Sequence, residues 1–148
     1  MVGYTAETNP DTTSRAIGKE LPVSPKHSRE ICGMIRGMEV DGAIDTLNEV
    51  IELKRAVPFR RYNKCVSHKK GTGPGRYPQK AARAILGVIE GAMSNAEYKG
   101  LDPDNMKVKV IAAHLGRTQE GWRPRAYGRA TPFDQQTVNI EVILEEVE

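Results

Sequence analysis

Between residues 54 and 83 the chain has no aspartate or glutamate. That window holds ten Lys or Arg and so carries +10, whereas the remainder, with twelve basic and nineteen acidic residues, carries −7. The formal total of +3 conceals the split. Solvated surfaces usually mix the two signs, so separation on this scale marks a footprint for a polyanion. Cysteine is also scarce. Cys32 and Cys65 are too few for a disulfide scaffold and fit a reducing, cytoplasmic setting. No apolar run approaches the length of a membrane span, and M-V-G-Y-T-A-E lacks the basic-then-apolar pattern of a secretion signal, so no membrane partner is expected. Catalytic and metal patterns are missing too. His27, His68 and His114 fall in three different elements without patterned acid or nucleophile partners. Cys65 and His68 have the spacing of half a zinc site, but no second pair follows. G-T-G-P-G lacks the Lys-Ser/Thr and the preceding apolar strand of a phosphate loop. No catalytic residue, metal or cofactor is expected.

At 148 residues the chain is long enough for one modest core, and residues 1–148 are read as a single domain with two appendages, a basic loop insertion at 54–77 and an arm at 112–136. Residues 1–13 are polar, with a turn at Asn9-Pro10-Asp11, and read as a loose arm. The alternation of Ile17, Leu21 and Val23 predicts a short strand over Arg15–Val23. Ser24-Pro25 opens a first helix whose apolar stripe is Ile31, Met34, Ile35 and Met38, with Cys32 as a small core residue. Lys26, His27 and Arg29 lie on its first turn, where cations oppose the helix dipole; an external anion is one account of them, although exposed lysines in first turns are common enough to need none. A second helix runs from a cap at Asp41 to about Leu53, burying Ile44, Leu47, Val50 and Ile51. The third and best helix spans Pro78–Tyr98, with Ala81, Ile85, Val88, Ile89, Ala92 and Ala96 on one stripe and Gly100 just past its end.

Residues 54–77 keep no regular period and are broken by Pro58, Gly71, Gly73, Pro74 and Gly75. Such a loop is expected to be structureless until a partner orders it. Its cations are Lys54, Arg55, Arg60, Arg61, Lys64, Lys69, Lys70 and Arg76, joined by His68, and Lys80 and Arg83 continue the run onto the third helix. Phe59, Tyr62 and Tyr77 are interleaved with them, a mixture that suits phosphate contact plus stacking on unpaired bases.

The chain ends in a long β-hairpin, Met106–Leu115 outward and Gln135–Val147 back. Near its base Met106, Val108, Val110 and Ala112 alternate with Lys107, Lys109, Ile111 and Ala113, and Val138, Ile140, Val142 and Leu144 alternate with Thr137, Asn139 and Glu141. With the Arg15–Val23 strand these make a three-stranded antiparallel sheet packed on about three helices, an α+β fold. The outer part carries Arg117, Arg123, Arg125 and Arg129 against one acid, Glu120. Arms of about fifteen residues would extend roughly 50 Å. Pro124 and Pro132 each remove a backbone donor, so regular pairing should fail near the tip, where Gly128 supplies the turn. A bare two-stranded ribbon is marginal in water and needs a surface to lie on. Poly-phosphate fits its charge. Trp122 could either stack on a base or close the hairpin. The acidic tail E-E-V-E should point away from nucleic acid.

The stretch S-P-K-H-S-R-E-I-C-G-M-I-R-G, the helix ending in S-N-A-E, and above all R-P-R-A-Y-G-R-A followed by V-N-I-E-V-I-L closely resemble the universal family of large-subunit ribosomal proteins numbered twenty-two. The match runs from about Thr13 to the C-terminus. The basic insertion and acidic end resemble the archaeal and eukaryotic branch, since the bacterial form has a shorter connection between the second and third helices. The resemblance implies a structural, non-enzymatic role. It implies a body on the outside of the large subunit near the tunnel exit, and a hairpin threaded through rRNA domains with its tip lining the nascent-peptide tunnel at Arg125, Tyr127, Gly128 and Arg129. The implied partners are large-subunit rRNA, other large-subunit proteins near the exit and, at the tip, the nascent chain. Against it stand an RNA-acting enzyme, for which no acid/base or metal constellation is present, and a free-standing RNA-binding regulator or chaperone, which fractionation with the large subunit would distinguish.

Overall fold

A computed structural model describes residues 3–147. The chain runs β1 (Thr13–Leu21), α1 (Pro25–Ile35), α2 (Val40–Ile51), β2 (Val57–Pro58), β3 (His68–Lys69), β4 (Gly73–Arg76), α3 (Gln79–Lys99), a 3-10 turn (Pro103–Asn105), β5 (Met106–Gln119), β6 (Trp122–Pro124), β7 (Ala130–Pro132) and β8 (Gln135–Glu146). The fold is α+β. A three-stranded antiparallel sheet in the order β1-β8-β5 has α3 lying on β1 and β8 and α1 on β5, with α2 behind α3.

The predicted helical stripes supply most of the core, with Met34, Met38, Ile44 and Ile51 only partly buried against it. Ile31, Cys32 and Ile35 of α1, Leu47 and Val50 of α2, and all six stripe residues of α3 are buried. Helix boundaries shift slightly. Ser24 occupies the N-cap of α1 without a side-chain capping bond; instead the Ser28 hydroxyl donates to its carbonyl at 3.0 Å. The cap of α2 is Glu39, not Asp41, because Val40 is drawn into the core at 1 % exposure and so belongs to the first turn. Asp41 still favours that helix end through its charge. Pro78 is the N-cap of α3 rather than its first residue, and Gly100, in the left-handed region, ends it.

β8 is the central strand, and every residue from Thr137 to Leu144 is buried. The polar positions Thr137, Asn139 and Glu141 of the alternation are thus as buried as the apolar ones, because both faces of this strand are covered. Residues 3–12 lie over the outer sheet face and are not loose, while residues 1 and 2 of the expected arm lie outside the described residues. Thr5 donates its backbone N–H (3.0 Å) and its hydroxyl to the Glu141 carboxylate, and Arg15 donates to the Thr8 carbonyl at 2.6 Å. Burial alone would push the Glu141 carboxyl up, but the hydrogen bonds from Thr5 and the adjacent His114 outweigh it and hold the group below its ordinary range. In β5 a register shift leaves Lys109 unpaired across the ladder. The bulge moves the buried phase by one residue, so Ile111 joins Met106 and Val108 in the core and Val110, which simple alternation would bury, is only half-buried.

The loop at 54–77 is not structureless. β2, β4 and β3 form a small sheet in that order, anchored in the core by Val57 and Phe59, with the Phe59 N–H donating to the Pro74 carbonyl at 2.8 Å. Burial pushes the Cys32 thiol up to about 12, whereas Cys65 is exposed on this lobe. In the native protein near pH 7 a thiol reagent is expected to label Cys65 alone, with Cys32 reacting only after denaturation. Peptide mapping showing equal labelling of the two would contradict this packing.

Candidate nucleic-acid interface

Two cationic elements leave the body. The first is the hairpin. β5 and β8 stay paired out to Gln119 opposite Gln135, and β6 and β7 carry the ribbon to the tip with Trp122 opposite Pro132 and Pro124 opposite Ala130. Pairing thus persists where it was expected to fail, and the register explains why. The Phe133 N–H donates to the Gly121 carbonyl at 2.6 Å and the Arg125 N–H to the Arg129 carbonyl at 2.8 Å. Antiparallel ladders alternate bonded and non-bonded pairs, so Pro124 and Pro132 occupy the intervening pairs that need no N–H from them. The tip turns through Tyr127 and Gly128, at φ +59° and +65°. At the root, Gly116 lies beside a second register shift, where a Cβ would meet the Thr137 hydroxyl at 2.5 Å, so a side chain there would displace the arm.

From Arg117 to Gln136 every residue is exposed except the half-buried Gly121. Arg117, Arg123, Arg125 and Arg129 have no carboxylate within 4 Å among the described residues. Arg123 stacks over Phe133 at 5.6 Å, and Trp122 and Tyr127 are 72 % and 95 % exposed. Large rings left this open on a cationic ribbon offer flat faces to planar partners.

The second element is the 54–77 lobe, which folds back on the start of α1. His27 meets Phe59 edge-to-face at 5.4 Å, Arg76 lies over the same ring at 5.7 Å, and Lys26 sits over Tyr62 at 4.9 Å. Partial burial, with Arg76 and Lys26 nearby, pushes the His27 imidazole below its ordinary value, so it serves near neutral pH as an uncharged donor or acceptor. Phe59 is 3 % exposed and is not available for stacking on bases; it is an anchor, and Tyr62 is the open ring of the lobe. Arg29, Arg60, Arg61, Lys64, His68, Lys70, Lys80 and Arg83 are exposed, and Lys69 is half-buried over Tyr77. Lys54 and Arg55 are set apart from the rest, paired with Glu52 at 2.5 Å and Glu49 at 3.4 Å at the end of α2. Among the described residues no other ion pair involves the acid-free window. A groove lined by Ser24, Pro25, Lys80, Gln119 and Gln136 joins the hairpin root to the starts of α1 and α3.

Glu30 escaped notice in the sequence. It is 8 % exposed, and its two carboxylate oxygens accept the backbone N–H groups of Arg60 and Arg61, each at 3.2 Å. The available signal was an acid one residue before a buried Ile on an amphipathic helix. Among the described residues no group of three or more His, Cys, Asp or Glu could hold a metal, and no helix is long and apolar enough to cross a membrane. The glutamates and aspartates of α2 lie outside the two cationic elements, and Glu145 and Glu146 at the end of β8 lie at the base of the hairpin, opposite Lys107 and Met106 and at the far end from its arginines.

Fold and site define a class: an α+β body that carries uncompensated cations on a projecting ribbon and a folded lobe. More particularly, the chain belongs to the ribosomal protein L22p/L17e family, whose model matches residues 16–145. It is 58 % identical over 137 residues to the large ribosomal subunit protein uL22 of Methanothrix thermoacetophila, covering 90 % of each chain. It is 54 % identical over 144 residues to the uL22 of Methanopyrus kandleri (95 % of this chain, 91 % of that one) and 50 % identical over 148 residues to that of Methanococcus aeolicus (98 % and 97 %). These relatives are archaeal-type proteins, as the basic insertion suggested. A ribosomal-protein family is structural, and the chain is not an enzyme.

Proposed function

We propose that this protein is a structural constituent of the cytoplasmic large ribosomal subunit. It binds large-subunit rRNA through the hairpin and the basic lobe, supports subunit assembly, and presents Arg125, Tyr127, Gly128 and Arg129 at the wall of the polypeptide exit tunnel, beside the nascent chain and near other proteins of the exit. The observation that carries this reading is the run of exposed, unpaired arginines from Arg117 to Arg129 on a ribbon with no core of its own. Four like charges on a thin arm repel one another and gain from a dense row of phosphates, whose released counterions supply the driving force. Such contacts recognise the backbone and shape of folded RNA more than its sequence.

Affinity for folded large-subunit rRNA fragments is therefore expected to fall steeply as salt rises from about 50 to 200 mM, by orders of magnitude if six or more phosphates are met. An affinity indifferent to salt would sink phosphate-driven binding. Sedimentation separates this role from that of a transient RNA regulator, since a constituent stays with the large subunit through a moderate-salt wash.

A further inference from the structure

We propose that Glu30 is a positioning residue for RNA: it fixes the backbone of the Arg60–Arg61 pair so that both guanidinium groups face outward before any RNA arrives. The inference rests on the rRNA-binding reading above and adds to it an acid where only cations were expected. Glu30 projects from the second turn of α1 and is nearly enclosed, with Gly33, Met34, Pro58 and Arg60 around it. Its carboxylate bridges two successive amides, Oε2 to Arg60 and Oε1 to Arg61. The side chains of those two arginines remain exposed and make no ion pair with Glu30. The negative charge is therefore spent on the loop's backbone and leaves both guanidinium groups free for an external anion. On one side the lobe is held by Phe59 in the core, and on the other by the Lys26–Tyr62 contact. Arg60 and Arg61 lie between these anchors, where the Glu30 carboxylate is the tether.

Simple electrostatics and positioning predict opposite signs. Removing a negative charge from a phosphate-binding surface should tighten binding. If Glu30 preorders the loop, its removal makes RNA binding bear the cost of ordering two long side chains and their backbone, and binding weakens. The full-length Glu30→Ala protein is expected to bind a folded large-subunit rRNA fragment about tenfold more weakly than wild type at about 0.1 M salt. Glu30→Gln, which keeps one acceptor oxygen without the charge, should recover part of the loss. In an Arg60→Ala/Arg61→Ala background, Glu30→Ala should cause little further loss. In the wild-type protein free of RNA, the Arg60 and Arg61 amides should exchange with deuterium more slowly than the Lys64 and Cys65 amides, a measurement that stands even if Glu30→Ala folds poorly. Wild-type protein that binds the fragment while Glu30→Ala binds equally or more tightly overturns the role of Glu30 alone, as do unprotected Arg60 and Arg61 amides. Wild-type protein that does not bind rRNA overturns the reading beneath it.

Discussion

Replacing Arg117, Arg123, Arg125 and Arg129 together by alanine is expected to reduce affinity for folded large-subunit rRNA by about 10²- to 10³-fold at about 0.2 M salt, and to lower the slope of log K against log salt by about 3. The estimate follows from one lost phosphate contact per arginine, each releasing somewhat less than one counterion. These side chains are exposed and have no carboxylate partner, so their removal leaves no buried group unsatisfied. Surface changes of this kind alter stability by a few tenths of a kcal/mol each, about 0.5 at most. The thermal midpoint should therefore barely move while binding collapses. Isothermal titration or filter binding across a salt series, paired with a melting curve, tests both halves. An unchanged salt slope would remove the hairpin arginines from the interface. A large fall in melting temperature would mean that the arm is part of the body's core.

Ile140→Ala should show the reverse pattern in the folded body. Ile140 is fully buried on the central strand, paired with Gly18 of β1 on one side and Ala113 of β5 on the other. Truncation removes its transfer free energy and leaves a cavity that two hydrogen-bonded neighbours cannot close, at a cost of about 3–4 kcal/mol. For a domain of this size that corresponds to a fall in melting temperature of roughly 6–15 °C. Denaturant titration would measure the loss directly. A loss below about 1 kcal/mol would mean that this stretch of β8 is not the core strand that its burial indicates. The remaining folded Ile140→Ala protein should keep the wild-type salt slope, because the cations are on other elements.

The two experiments divide the molecule as its sequence already does. Ala81 to Ala96 recur at helical spacing, and that spacing alone places them on the buried face of α3. The alternation of Val138 to Leu144 gives β8 its strand character, and the block of cations without acids gives the lobe its charge. These features are local: each depends on residues within a few positions of one another, so a linear string carries them. The prolines of the hairpin show where local reasoning stops. Pro124 and Pro132 read as breaks, yet the register places both at pairs that do not use their nitrogen, and register depends on two strands at once.

What the amino-acid sequence determined by itself was the helices, the hairpin, the separation of charge and the set of arginines, because periodicity and charge are properties of short segments. Only the tertiary structure decided that Phe59 is an anchor, that Ile111 replaces Val110 in the core, that Glu141 is sealed beneath Thr5, and that Glu30 holds the amides of Arg60 and Arg61. Each of these joins distant segments, 30 or more positions apart in the two carboxylate contacts, or shifts the phase of a strand through its partner. Burial and hydrogen bonding at such range follow from how the layers meet, and no pattern along the chain encodes that meeting.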